Sequence, residues 1–254
     1  MNKLEKKLRE KDRNFIGFLT GGDPSIEKLG PMVHALEDGG CDVIEIGVPF
    51  SDPLADGPVI QSAGQRAIEK GVCLKSIFSE ISKFRKDIQV PLVFLIYYNS
   101  IFNYGVKEFV EKCEELGIDG LIIPDLPYEE QDEILEFLDQ EKIALIPFAT
   151  PTSKDRMKKT LSNGSGFVYT VSSLGVTGRD SEIYKDFEEY IKEVKKYSNI
   201  PVAVGFGISS QKDVENIYKY VDNVIVGTAI VKKIHESSGD YEIVKNYIKK
   251  LINS

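Results

Sequence analysis

The chain has 254 residues, is 42% hydrophobic and 28% charged, and carries a net charge of −8 with a pI near 5.0. That length supports a sizeable core, the composition is globular rather than disordered, and the acidic balance argues against a general nucleic-acid binder. No apolar run approaches the roughly 20 residues that span a bilayer, and the opening stretch MNKLEKKLREKDRN lacks the apolar core of a signal peptide, so a cytoplasmic location is the default expectation. Cys41, Cys73 and Cys113 lie far apart with no CxxC spacing and read as reduced thiols. With only His34 and His235 present, a His-based metal site or a His-driven nucleophile is disfavoured, and acid–base work falls to carboxylates.

In chain order, a charged helix over residues 2–11 precedes a first strand, NFIGFLT (14–20), which GGDP turns into a helix over 25–39. The second strand is 42–47, followed by helical segments over 61–70 and 74–86. PLVFLIY (91–97) is the third strand with a helix over 106–116, and DGLIIP (119–124) the fourth with a helix over 129–141. IALIPF (143–148) is the fifth with a helix over 153–162, and FVYTV (167–171) the sixth, followed by a Gly/Ser/Thr loop and a helix over 184–197. The seventh strand is 201–204 and the eighth 223–226, with helices from about 211 and from 239.

Eight apolar strands, each followed by helix, predict an α/β fold: a (β/α)8 TIM barrel with an extra N-terminal helix, one domain over 1–254. An open doubly wound sheet is the alternative, and eight regular units fit it less well. In a barrel, chemistry gathers at the C-terminal ends of the strands. The long connections at that face are 48–58 and 172–181, and extended Gly/Pro-rich loops there commonly act as lids.

Glu45 sits inside the apolar second strand, where a carboxylate is costly unless it is bound or its pKa rises. It reads either as an interior acid with a buried partner or as a catalytic acid, and its place near a strand end favours the second. Asp52 and Asp56 share the proline-rich loop that follows; on local evidence Asp56, next to Gly57, is as much a turn former as a catalyst. Asp125 in PDLP leans structural, and Tyr169 on the sixth strand is a core aromatic or a pocket hydrogen bonder. Phe18 and Phe206 stand where they could close over an apolar ring or simply fill the barrel mouth. Gly205 and Gly207 after the seventh strand, with Gly227 and Thr228 after the eighth, occupy the positions where barrels bind phosphate through loop amides. Thr177 and Gly178 in SSLGVTG could reach that phosphate or lock the loop.

FLTGGDP (18–24), IEIGVPFSDPLADGPVIQ (44–61), YYN (97–99), IIPDLP (122–127), VYTVSSLGVTG (168–178), VGFGIS (204–209) and VGTAIV (226–231) together closely resemble the tryptophan synthase alpha subunit family. They span the chain in the family's order, and E-x-G-x-P-x-S-D-P-x-A-D-G-P is highly specific to it. The resemblance implies a carbon–carbon lyase that cleaves indole-3-glycerol phosphate to indole and glyceraldehyde 3-phosphate, a retro-aldol step of tryptophan biosynthesis without cofactor or metal. It places the catalytic glutamate on Glu45, the loop aspartate on Asp56, a strand-six tyrosine on Tyr169, and the threonine that contacts the aspartate on Thr177. It places phosphate binding on Gly178, Gly205, Gly207, Gly227 and Thr228, and the indole pocket on Phe18, Ile60, Leu95, Tyr97, Ile122 and Ile225. Ser173 departs from the arginine frequent in the family, which bears on how its loop closes. The resemblance further implies a PLP-dependent beta subunit as partner in an α2β2 heterotetramer, with no nucleic-acid or membrane partner.

Three other readings stand beside it. A different phosphate-sugar lyase or epimerase would want an interior Lys or a metal-binding His/Asp set, and the strand segments contain no Lys. A barrel acting mainly as beta-subunit activator would not need both carboxylates. A free-standing indole-producing lyase would differ only in its independence of a partner.

Overall fold

The computed structural model describes residues 1–150, 154–162, 164–171, 181–205 and 207–252. Among them are strands β1 (Asn14–Thr20), β2 (Val43–Gly47), β3 (Leu92–Leu95), β4 (Gly120–Ile122), β5 (Ala144–Leu145), β6 (Phe148–Ala149), β7 (Val168–Val171), β8 (Val202–Gly205) and β9 (Asn223–Val226). The helices are α1 (Lys3–Leu8), α2 (Leu29–Gly39), α3 (Pro58–Glu69), α4 (Leu74–Phe84), α5 (Tyr98–Tyr104), α6 (Val106–Leu116), α7 (Asp132–Leu135), α8 (Lys154–Ser162), α9 (Ser181–Tyr197), α10 (Gln211–Ile217), α11 (Thr228–Glu236) and α12 (Tyr241–Ile252). All paired strands run parallel, in the order β5-β4-β3-β2-β1-β9-β8-β7-β6.

The two ends of that order are halves of one strand. β5 pairs with β4 and β6 with β7, and only Ile146 and Pro147 separate them. Ile146 N–H still donates to Leu121 O (2.9 Å), and Tyr169 N–H reaches Pro147 O (2.9 Å). Pro147 has no N–H of its own to offer, so the ladder breaks there while the chain carries the sheet round into a (β/α)8 barrel. The expected fifth strand is thus two short ones. The helix expected over 129–141 is also shorter: a 3-10 turn at Tyr128–Glu130, then α7. α5 and α11 appear where no helix was expected.

The strands are buried on both faces, and their side chains sort by parity. Ile16 and Phe18 of β1 join an interior cluster with Val43, Val93, Leu95 and Tyr169, while Phe15 and Leu19 belong to the larger layer beneath the helices. Leu4 and Leu8 of α1 fill the bottom of the interior. Asn2 starts that helix, its side chain accepting the Glu5 N–H at 2.9 Å. Beside it Asn14 donates to Leu8 O and to Asn223 Oδ1, both at 2.9 Å. Two buried aspartates at strand starts tie this face together. Asp42 accepts the Phe15 N–H and pairs with Lys11 at 2.8 Å; Asp119 accepts the Leu92 N–H and pairs with Arg85 at 3.0 Å. The two aspartates at the bottom are thus both hydrogen-bonded and ion-paired. No described helix is long and apolar enough to cross a membrane.

Candidate active site

Glu45 faces inward because it shares the parity of Val43 on β2, flanked in register by Phe18 on β1 and Val93 on β3. It is 1% exposed, and neither carboxylate oxygen has a hydrogen-bond partner among the described residues. Burial, and then the negative charge of Asp56, push its pKa from 4.5 up to about 8. Protonated at neutral pH, it is an acid with no acceptor for its proton among the described residues.

Above it opens a cavity of about 330 Å³ at the C-terminal ends of the strands. Of the residues predicted from sequence, it brings together Phe18, Glu45, Asp56, Ile60, Leu95 and Tyr169. It also takes in Gly207, Ile225, Gly227 and Thr228. Gly47, at the end of β2, leaves room for the Phe18 ring; a Cβ there would stand 2.5 Å from the ring. Tyr169 stacks on Phe148 at 4.8 Å between centroids, and burial followed by the charges of Glu45 and Asp56 drives its hydroxyl pKa well up.

Asp56 comes from the loop 48–57. The loop carries two prolines, Pro49 and Pro53, with Pro58 opening α3 behind it, and Gln61 of α3 donates to Asp56 O at 2.8 Å. Burial raises the Asp56 pKa to about 6 while a hydrogen bond from Tyr97 holds it down. At neutral pH one carboxyl is protonated and the other mostly ionised, the division of roles that acid–base chemistry needs.

Across the cavity, β9 ends at Val226, Gly227 follows as the N-cap, and α11 begins at Thr228. The first backbone bond of that helix runs from Val231 N–H to Gly227 O (3.0 Å), so the preceding amides are the donors a helix start leaves for an anion. Gly207, at φ +72°, lies in the left-handed region that favours glycine. No lysine, arginine or histidine is among the described lining residues. No three His, Cys, Asp or Glu side chains among the described residues gather where they could hold a metal ion.

Three predicted residues stand off the cavity wall. Ile122 is fully buried in the interior cluster, in register with Leu95. Gly205 lies behind Tyr169, where a Cβ would come within 2.7 Å of its hydroxyl. Tyr97 turns its hydroxyl onto the 48–57 loop, taking the Ala55 N–H at 3.0 Å and donating to Asp56 Oδ2 at 3.3 Å. Thr177, Gly178 and Phe206, with Ser173, lie outside the described residues. Asp125 is structural here: its carboxylate accepts the Tyr98 N–H (2.8 Å) at the start of α5. Sequence reasoning missed Phe148, Thr150, Pro124 and Ile208 in the lining. Their signal was position alone, at or just past the ends of the predicted fourth, fifth and seventh strands.

The family model for the tryptophan synthase alpha chain matches residues 4–253. The tryptophan synthase alpha chain of Thermoanaerobacter sp. is 46% identical over 258 residues, covering 100% of this chain and 98% of that one. That of Alkaliphilus metalliredigens is 43% identical over 253 residues, covering 98% and 95%. Among solved structures, the tryptophan synthase subunit alpha from Campylobacter jejuni superposes with a TM-score of 0.89 at 34% identity, over 99% of this chain and 100% of that one. A chain from the tryptophan synthase α2β2 complex of Pyrococcus furiosus gives a TM-score of 0.87 at 34% identity, over 95% and 98%.

Proposed function

The chain belongs to the tryptophan synthase alpha chain family, whose reaction is the cleavage of indole-3-glycerol phosphate to indole and glyceraldehyde 3-phosphate, and we propose that Glu45 and Asp56 carry that reaction here. Breaking the bond between indole C3 and the glycerol chain requires a proton added at C3 and one removed from the hydroxyl of the attached carbon. Protonation at C3 places positive charge on the ring nitrogen. As the O–H electron pair becomes the new carbonyl, the C–C pair returns to the ring. One proton enters and one leaves, so a single carboxyl can perform both transfers in turn.

Glu45 suits that role because it begins protonated, donates to C3, and as carboxylate takes the hydroxyl proton and resets. Asp56, ionised above about pH 6, faces the ring N–H as it becomes cationic. Phe18, Leu95 and Ile225 supply apolar contact for the indole, and Tyr169 with Phe148 forms an aromatic wall beside both acids. The phosphate sits against Gly207, Gly227 and Thr228, so its binding energy orients the reacting end. The observation that carries this reading is the pair of carboxylate oxygens, without a hydrogen-bond partner among the described residues, on a fully buried Glu45 at the cavity floor. An acid kept for structure would be hydrogen-bonded.

The whole chain acts as one barrel domain, and a beta subunit docks at the same end. Two large apolar side chains are exposed there, Leu54 (92%) in the 48–57 loop and Phe102 (65%) in α5. The test is indole release from indole-3-glycerol phosphate by the purified chain, alone and with a beta subunit. Release that rises sharply with the partner supports the subunit reading. High release alone identifies a free-standing lyase, and none in either condition, from folded protein, overturns the substrate.

A further inference from the structure

The resemblance placed Tyr97 in the indole pocket, yet its ring does not line the cavity and its hydroxyl bonds the loop that carries Asp56. We infer that Tyr97 is the positioning residue for Asp56: fixed at the end of β3, its hydroxyl takes the Ala55 amide and donates to the Asp56 carboxylate, so that a loop without regular structure presents its acid at a set place. The inference rests on the role given to Asp56 above.

Each part of Tyr97 is held. Its backbone follows β3 and forms the N-cap of α5, whose first amide, that of Tyr98, is bound by Asp125 from beyond β4. Ile96, one residue earlier, donates to Ile122 O at 2.9 Å. The ring is 2% exposed and stacks on Phe50 of the same loop, centroids 4.8 Å apart and planes 17° from parallel. The 48–57 loop has few other ties near Asp56: Gln61 binds the backbone carbonyls of Pro53 and Asp56, not the carboxylate. Among the described residues, the Tyr97 hydroxyl is the hydrogen-bond donor on that carboxylate.

The chemistry follows from the direction of that bond. A hydroxyl donating to a carboxylate favours its charged form. The other titratable groups facing the site are Glu45 from β2 and Tyr169 from β7, with Asp125 acting on Tyr97 from beyond β4. None of them is a cation. The Tyr97 hydroxyl is therefore what opposes burial at Asp56.

Tyr97→Phe keeps the ring and its stack on Phe50 while removing the hydroxyl. The expected result is a fall in kcat of about 10- to 100-fold, the loss of one charge-assisted hydrogen bond. KM for indole-3-glycerol phosphate stays within about twofold, because the side chain is off the cavity wall. The acidic limb of the kcat/KM profile moves to higher pH. In an Asp56→Asn background the same substitution has little further effect. A raised KM with kcat and acidic limb unchanged makes Tyr97 a pocket wall and overturns the inference. So does parental activity in Tyr97→Phe, or an equal fall in the Asp56→Asn background. Parental activity in Asp56→Asn alone instead refutes the role of Asp56 on which the inference stands.

Discussion

Glu45→Gln should make this protein more stable, and increasingly so as pH rises. In the native state the carboxyl is fully buried without a hydrogen-bond partner among the described residues, and its pKa stands near 8 against 4.5 for the unperturbed group. Between those values the unfolded chain has released the proton and the native chain retains it. Native stability therefore falls as pH rises from about 4.5 and stops falling above about 8. At ~1.4 kcal/mol for each pH unit in that window, the loss between pH 5 and pH 9 is about 4 kcal/mol. Glutamine cannot ionise and escapes it. Its buried amide brings a desolvation cost of its own, but that cost does not change with pH. Urea unfolding of parent and variant at pH 5, 7 and 9 therefore reads the growth of their difference. A difference that stays constant, or shrinks, across that range would refute the assignment of a buried, protonated Glu45.

The same two acids set the pH dependence of activity. kcat/KM should fall below about pH 6 as Asp56 protonates and above about pH 8 as Glu45 ionises, and steady-state kinetics from pH 5 to 9 checks both limbs. Asp119→Ala removes the acceptor of the Leu92 N–H and the partner of Arg85 at the bottom of the barrel; it should lower unfolding free energy by about 2–3 kcal/mol in urea with kcat unchanged. Leu54→Asp places a charge on the exposed tip of the 48–57 loop; stimulation by a beta subunit should drop more than about tenfold in a titration while the isolated chain keeps its own rate.

Much of this was legible in the residues. The first and eighth strands fall at the predicted bounds, and an acid interrupting VIEIG announced a site because nothing in a branched apolar layer would pair with it. The break in the fifth strand hid inside IALIPF, an unbroken apolar run, although its proline was the visible warning. α11 was hidden because GTAIV after the eighth strand reads as a phosphate-binding loop, and only the fold shows a helix starting at Thr228. α5 was hidden for another reason. YNSIFNY has weak helical propensity, and the tie that starts it comes from Asp125, 27 residues away in sequence. The place of Tyr97 was illegible in the same way. An aromatic at a strand end fits a pocket wall as well as a latch, and the choice is made by a loop that contacts it from 41 residues away.

The most direct test of the account is indole release from indole-3-glycerol phosphate by Glu45→Gln, beside the parent and with retained phosphate binding as the control for an intact site. Glutamine matches the shape of the carboxyl but can neither donate nor regain the proton, so the account predicts a fall in kcat of at least about 100-fold. A folded Glu45→Gln that binds phosphate and releases indole at the parental rate would contradict it.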